Sequence, residues 1–250
     1  MTGELRYEWV RISTVRSTWA LIGLAMLVPA GLALFVSWLV GSLGPDAGGP
    51  PDGSGAGGLA GFLPLTAAVL CAIGAAAFGQ EYRHGLIRIT LATFPRRTPV
   101  FIAKTLMVAI VIVVAAILAI AMIVLAQALG GVIAGTGAIW DETAWGASGV
   151  RAVLYVVLFV LIALAITALT RNQPVGIIAP IVLAVLIEPI VSAIAFVQGW
   201  TWIDWLLPFS GGAAAVSTEG AEAWGHLAVF GGWFLIIAIP AWILFVRRDA

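Results

Sequence analysis

Six stretches of this 250-residue chain stay apolar for about 20 residues or more, and no other feature limits its possible folds so tightly. They run Trp19 to Gly41, Leu59 to Gly79, Pro99 to Leu129, Gly149 to Thr170, Pro174 to Val197 and His226 to Val246. About 20 apolar residues in a helix cross a ~30 Å hydrocarbon core. In lipid every backbone N–H and C=O needs a partner inside the protein, so each stretch is either a helix or a strand of a closed barrel. These stretches are continuously apolar and do not alternate, which excludes the barrel. Composition agrees: 62% of the residues are hydrophobic and 10% charged, against about 45–50% and 25% in a soluble domain. The expected fold is an all-α polytopic membrane protein, one transmembrane domain over residues 1–250 with six spans.

Net charge is zero, so total charge offers nothing for a nucleic acid to recognise, but the distribution is uneven. Arg6, Arg11 and Arg16 precede the first span, while Arg83, Arg88, Arg96, Arg97 and Lys104 lie between or just inside the second and third. Arg171 joins the fourth and fifth, and Arg247 and Arg248 follow the sixth. Arg151 alone among the basic residues falls on the opposite side, with Asp46, Asp52, Asp141, Glu142, Asp204, Glu219 and Glu222. Lys and Arg accumulate on the cytoplasmic side, which places both termini there. Trp38, Trp140, Trp145, Trp200, Trp202, Trp205 and Trp224 gather at the expected outer boundary, with Trp19 and Trp242 inside. Eleven Arg against one Lys suit a GC-rich genome, and the expected location is a bacterial plasma membrane.

Residues 1–18 read as a helix along the inner surface. Leu5, Trp9, Ile12, Val15 and Trp19 share a stripe at helical spacing, and Glu8 and Arg16 intrude on it and are expected to snorkel. A basic start before an apolar run resembles a signal peptide, but the run from Trp19 exceeds the usual h-region, so an uncleaved first span is expected. Residues 42–58 read as a flexible outer loop: Pro45 to Gly58 hold six Gly and three Pro. Cys71 is the single cysteine, and His84 and His226 are the only histidines, so neither a disulfide nor a Cys/His metal cluster is expected within one chain.

The most informative stretch is the loop at 80–98, which joins the second and third spans. Glu81 to Thr93 can form a short helix with Leu86, Ile89 and Thr93 on one face, and Pro95 stops it. A helix projecting charge around an apolar stripe suits a soluble partner, because charge pairs set register while apolar contacts supply affinity. The competing interpretation is a solvated basic hairpin that merely obeys the positive-inside rule.

Here the chain resembles the permease subunits of type-2 ABC exporters. In that family a Gly-x-Glu segment after the second span, a Gly-Thr-Ile-Arg-like run and a Pro-Arg-Arg-like turn form the coupling helix that docks into the ATP-binding subunit. Gly79, Glu81, Gly85, Leu86, Ile87, Arg88, Pro95, Arg96, Arg97 and Lys104 follow this pattern, with Leu86 where the family often has Thr. Glu188-Pro189 and Leu206-Leu207-Pro208-Phe209 resemble the family's Glu-Pro and Leu-Pro segments, and Glu8, Trp9, Arg16, Ser17 and Thr18 its N-terminal pattern. The resemblance implies ATP-driven export of a lipid, drug-like molecule or peptide, with Glu81, Tyr82, Arg83, His84, Gly85, Arg88, Pro95, Arg96 and Arg97 contacting the ATPase subunit. It also implies a second permease chain, as homodimer or heterodimer, in membrane lipid. The chain lacks a GxxxxGK[ST] phosphate loop, since its only lysine, Lys104, follows Ala103. No cofactor is therefore expected here; ATP and magnesium belong to the partner subunit.

Glu188 stands well inside the fifth span, where a charge costs on the order of 2–3 kcal/mol, so it should face protein or water. It would be a substrate contact, a proton relay, a gate, or a hydrogen-bonded residue beside the Pro189 kink. The resemblance favours the structural or gating role, because the family's Glu-Pro recurs whatever the cargo. Residues 198–225 are expected to form an outer re-entrant segment by the same resemblance, or an aromatic anchor on composition alone. Two rivals come from other classes. Gly146-Ala147-Ser148-Gly149 spell the GxSG motif of rhomboid-like intramembrane serine proteases, with His226 as the base, although the second span lacks that family's His or Asn. An ion-coupled carrier would use Glu188 and Pro189 as a broken-helix site.

Overall fold

The computed structural model describes residues 2–43, 55–94, 96–137, 146–200 and 202–247. Asp46, Asp52, Pro95, Trp140, Asp141, Glu142, Trp145 and Arg248 lie outside the described residues. What is described is helical, with no strand among the described residues. Helix α1 (Thr2–Thr14) breaks at Val15 and leads into α2 (Arg16–Leu43), the first span. Next come α3 (Gly55–Arg83), the short α4 (Ile87–Thr93), α5 (Arg97–Ile133) and α6 (Ala147–Thr170). The fifth span is α7 (Gln173–Val182), a π-helical turn at Leu183–Ile187 and α8 (Glu188–Gln198). Two short helices, α9 (Ile203–Leu206) and α10 (Pro208–Ser217), precede the sixth span, α11 (Gly220–Arg247). All six spans are long and apolar enough to cross a membrane. Helix α3 starts four residues earlier than the Leu59 expected from hydropathy, and α11 starts at Gly220 and not His226. Helix α5 is 37 residues long, about 55 Å at 1.5 Å per residue, so it outruns the hydrocarbon core and projects from it.

The bundle is built around α6. Of its most apolar stretch 72% is buried, against 11% for the fifth span, which therefore lies at the periphery. Close backbone approach needs small residues: a Cβ on Gly74 of α3 would fall 2.6 Å from the Val160 carbonyl of α6. Two aromatic clusters fill opposite ends. Phe78, Phe101 and Phe245 pack with centroids 5.4–5.8 Å apart near the α4 end. Tyr155, Phe159, Phe209 and Phe230 do so beneath α10, with Phe159 and Phe209 only 4.6 Å apart.

Candidate functional site

The loop between the second and third spans folds as two helices joined by a tight turn, where the sequence suggests one helix from Glu81 to Thr93. Helix α3 runs on to Arg83; His84 and Gly85 donate back to the carbonyls of Gln80 and Tyr82, and Gly85 sits at φ 67°. Glycine takes that left-handed position without a Cβ penalty and ends the helix. Helix α4 then starts at Ile87. Its inward face carries Ile87 and Thr90, both buried. Leu86 is 44% and Ile89 64% exposed, and Arg88 and Thr93 stand beside them in the open. The apolar stripe legible in the sequence thus points away from the protein. Phe94 closes the hairpin against α1, its ring 6.3 Å from that of Tyr7.

Around α4, Arg83, His84, Arg88 and Arg96 are exposed, and His84 Nδ1 lies 2.8 Å from the Gln80 carbonyl. Tyr82 is half-buried beneath the Arg171 guanidinium, 5.2 Å from its ring. Together with Gly79, Asn172 and Gln173 these two border a cavity of about 610 Å³ between the foot of α3 and the α6–α7 turn. Arg97 is half-buried and donates to the Val246 carbonyl at 3.2 Å, tying α5 to the end of α11. Pro95 lies outside the described residues.

Glu81 is the member of the set that the surface lacks: it is 2% exposed. Its Oε1 accepts from the Lys104 ammonium at 2.5 Å, and the same ammonium donates to Glu8 Oε1 at 2.6 Å. Arg11 completes the group, 2.7 Å from Glu8 Oε2 and 3.8 Å from Glu81 Oε1, and donates to the Ala77 carbonyl at 3.0 Å. Lys104 also lies 5.5 Å over the Phe78 ring. Glu8 does not snorkel as its sequence position suggests; it is buried in the contact of α1 with α3 and α5. Two acids and two bases cancel, so the cluster is neutral as a whole, and each charge removed from water faces an opposite one. This arrangement escapes sequence reasoning. Its only signal is a lysine about two turns inside an apolar span, paired with a glutamate on the apolar stripe of α1.

At the far end of the bundle, Glu188 and Pro189 hold α10. Pro189 has no N–H to continue the fifth span's ladder, and the chain widens ahead of it into the π turn, in which the Glu188 N–H reaches back to the Leu183 carbonyl. The Glu188 side chain, 3% exposed, accepts from the backbone N–H of Phe209 at 3.0 Å and of Ser210 at 2.5 Å. Pro208 has no N–H, and Gly211 donates to the Leu207 carbonyl. The first turn of α10 is therefore fully satisfied, with a carboxylate on the positive end of its dipole. Glu188 precedes the end of the span at Gln198 by ten residues, about 15 Å. Helices α9 and α10 fill the segment between Gln198 and α11, with the start of α10 held beside Glu188. Trp233 Nε1 donates to the Leu206 carbonyl at 2.9 Å and Ser192 Oγ to Asp204 Oδ1 at 2.5 Å, fixing α9 to α11 and α8.

Among the described residues no serine–histidine pair supports the protease reading: His226 stacks flat on Trp205, 4.0 Å away at 18°, and its buried Nδ1 has no hydrogen-bond partner. No cluster of three or more His, Cys, Asp or Glu suited to a metal occurs among the described residues.

No curated protein matches the chain. Residues 5–188 match the model of a family described as ABC-2 family transporter protein.

Proposed function

This chain belongs to the ABC-2 transporter family, a family of membrane permeases, and from that premise we propose that it is the membrane half of an ATP-driven exporter worked by a separate ATP-binding subunit. The observation that carries this reading is α4, a short helix whose apolar residues face outward. Ile89 is 64% exposed, and a soluble subunit with an apolar socket would cover it together with Leu86. Arg83, His84, Arg88 and Arg96 ring the stripe and set register against acidic groups of the partner. Tyr82, Gly85 and Arg97 shape the hairpin that carries these side chains. Glu81 acts from below, through Lys104, and does not touch the partner.

The buried cluster explains how a push on α4 would be transmitted. It clasps α1, α3 and α5 at one level, so the hairpin cannot tilt without carrying the second and third spans with it. In this reading the α4 end faces the cytoplasm of a bacterium, α1 lies along the membrane surface with Trp9 toward lipid, and α10 closes the path from outside under the hold of Glu188. Cargo is an apolar or amphipathic molecule such as a lipid, a drug-like compound or a peptide. A second permease chain packs against the exposed fifth span.

The test uses the full permease co-expressed with its ATP-binding subunit. Ile89→Asp and the double variant Arg83→Glu with Arg88→Glu should insert and fold normally, yet lose co-purification of that subunit and at least tenfold in transport-coupled ATP hydrolysis. Wild-type co-purification in both variants would refute docking at α4.

A further inference from the structure

The turn from α6 to α7 carries an arginine where the backbone would take a smaller residue at less cost. Arg171 ends α6, its N–H donating to the Thr167 carbonyl at 2.8 Å. It sits at φ 55°, the single non-glycine residue with positive φ among the described residues. Glycine or asparagine takes that left-handed position more readily, and an asparagine, Asn172, stands next in the chain. The reason for an arginine here lies in its side chain and not in the turn.

That side chain, half-buried, stands 5.2 Å over the Tyr82 ring on the wall of the cavity of about 610 Å³ between α3 and the turn. A cation–π contact holds a guanidinium in place without calling on its N–H donors. Arg83, exposed at the end of α3, brings a second guanidinium to the same cavity, and Asn172 and Gln173 add carboxamides. Gly79 permits the close approach, since a Cβ there would collide with Gln173. Room for roughly twenty waters suits a phosphodiester headgroup and its hydration, and two planar guanidiniums suit its paired oxygens.

The cavity also has an apolar side. Ile177 lines it, and Val175 and Ile178, in the first turns of α7, are 39% and 58% exposed. They belong to the fifth span, of which 11% is buried, so lipid tails cover the surface beside the cavity. Polar Gln173 and apolar Ile178 are about 8 Å apart along the helix. Headgroup chemistry thus gives way to hydrocarbon over a distance like that within one phospholipid.

We infer that this cavity binds the phosphate of an anionic phospholipid, with Arg83 and Arg171 as its cationic partners and an acyl chain laid along Val175 and Ile178. Basic pockets between spans at the cytoplasmic end suit such headgroups, and the basic residues of this chain gather at this end. A free anion, or an acidic side chain of a soluble partner, would use the guanidiniums and leave the apolar side bare; a lipid uses both. Such binding requires neither cargo nor an ATP-binding subunit, so it stands whether or not the exporter reading holds.

The purified full chain in neutral detergent is titrated with phosphatidylglycerol, phosphatidylcholine and inorganic phosphate, and native mass spectrometry and thermal midpoints report binding. Wild type should bind phosphatidylglycerol at least fivefold more tightly than phosphatidylcholine. Arg171→Asn, which suits the left-handed backbone, should weaken that binding at least fivefold, and Arg83→Gln at least twofold. Arg6→Gln, which removes an exposed charge of α1 outside the cavity, should leave it unchanged. Equal binding of the two lipids overturns the inference, as does wild-type binding by Arg83→Gln even if Arg171→Asn fails to fold. A loss in Arg6→Gln equal to that in Arg83→Gln would mean a diffuse basic surface, and stabilisation by inorganic phosphate equal to that by phosphatidylglycerol a site for free anions; either overturns it as well. Loss of the co-purified ATP-binding subunit in Arg171→Asn with lipid binding unchanged would assign the cavity to the docking surface, refuting the lipid site while leaving docking at α4 intact.

Discussion

Lys104 shows how much one side chain can decide. In the sequence it is one more cation near the second loop; in the structure it is wholly buried between two carboxylates. Removing one partner of such a group leaves the others charged and dry, which costs about 3–5 kcal/mol, whereas removing an opposed pair leaves the balance intact. Lys104→Met should therefore lower the thermal midpoint of the purified protein sharply. Lys104→Met combined with Glu81→Leu, which leaves Glu8 with Arg11, should recover most of that loss. Additive losses in the double variant would deny that the four residues act as one group. Tyr155 offers a contrasting case, since its buried hydroxyl has no hydrogen-bond partner. Tyr155→Phe removes an unsatisfied polar atom while keeping the ring, so its thermal midpoint should equal or exceed that of wild type. Neither residue's role was legible beforehand. A hydrophobic stripe tells which face of a helix turns inward but not what stands opposite it.

Among the elements, α10 depends most on a distant residue. Its first turn opens inside the membrane-spanning region, where no water relieves an N–H, and Glu188 accepts from two of them. Glu188→Ala orphans both, at about 1–3 kcal/mol each; Glu188→Gln keeps one acceptor and should lose about half as much in thermal melts. A proton relay would behave differently: Glu188→Gln would abolish transport while leaving the melt unchanged. The sequence marks Glu188 as costly and Pro189 as a break. It does not reveal that the cost is offset by a helix starting 20 residues later. For α4 the case is the reverse: its stripe of Leu86, Ile89 and Thr93 is evident from spacing, yet spacing is blind to whether the stripe faces the protein or the solvent. Ile87 and Thr90 occupy the inner side, so the stripe is left outside.

Across the whole molecule, the six spans bury themselves unequally. Helix α6 is enclosed, while Val185, Ile187, Ile190 and Ile194 of the fifth span are all more than 40% exposed. Lipid tails satisfy such a surface as well as protein does, so exposure alone does not demand a partner; the family's paired permeases supply the expectation. With Cys71 buried as a silent background, Ile190→Cys in native membranes should form a cross-linked permease pair under mild oxidation, and Val114→Cys on α5 should not. Equal cross-linking of both would indicate random encounter. Hydropathy by itself determined the class, the six spans and their approximate ends, because lipid leaves helix as the sole local solution for a long apolar run and the penalty for unpaired backbone is paid residue by residue. Tertiary structure alone decided which charges are buried together, which side of α4 is open and where Arg171 lies relative to Tyr82. Each of those depends on residues far apart in the chain meeting at one depth, and pair electrostatics varies with distance and burial, which no linear pattern encodes.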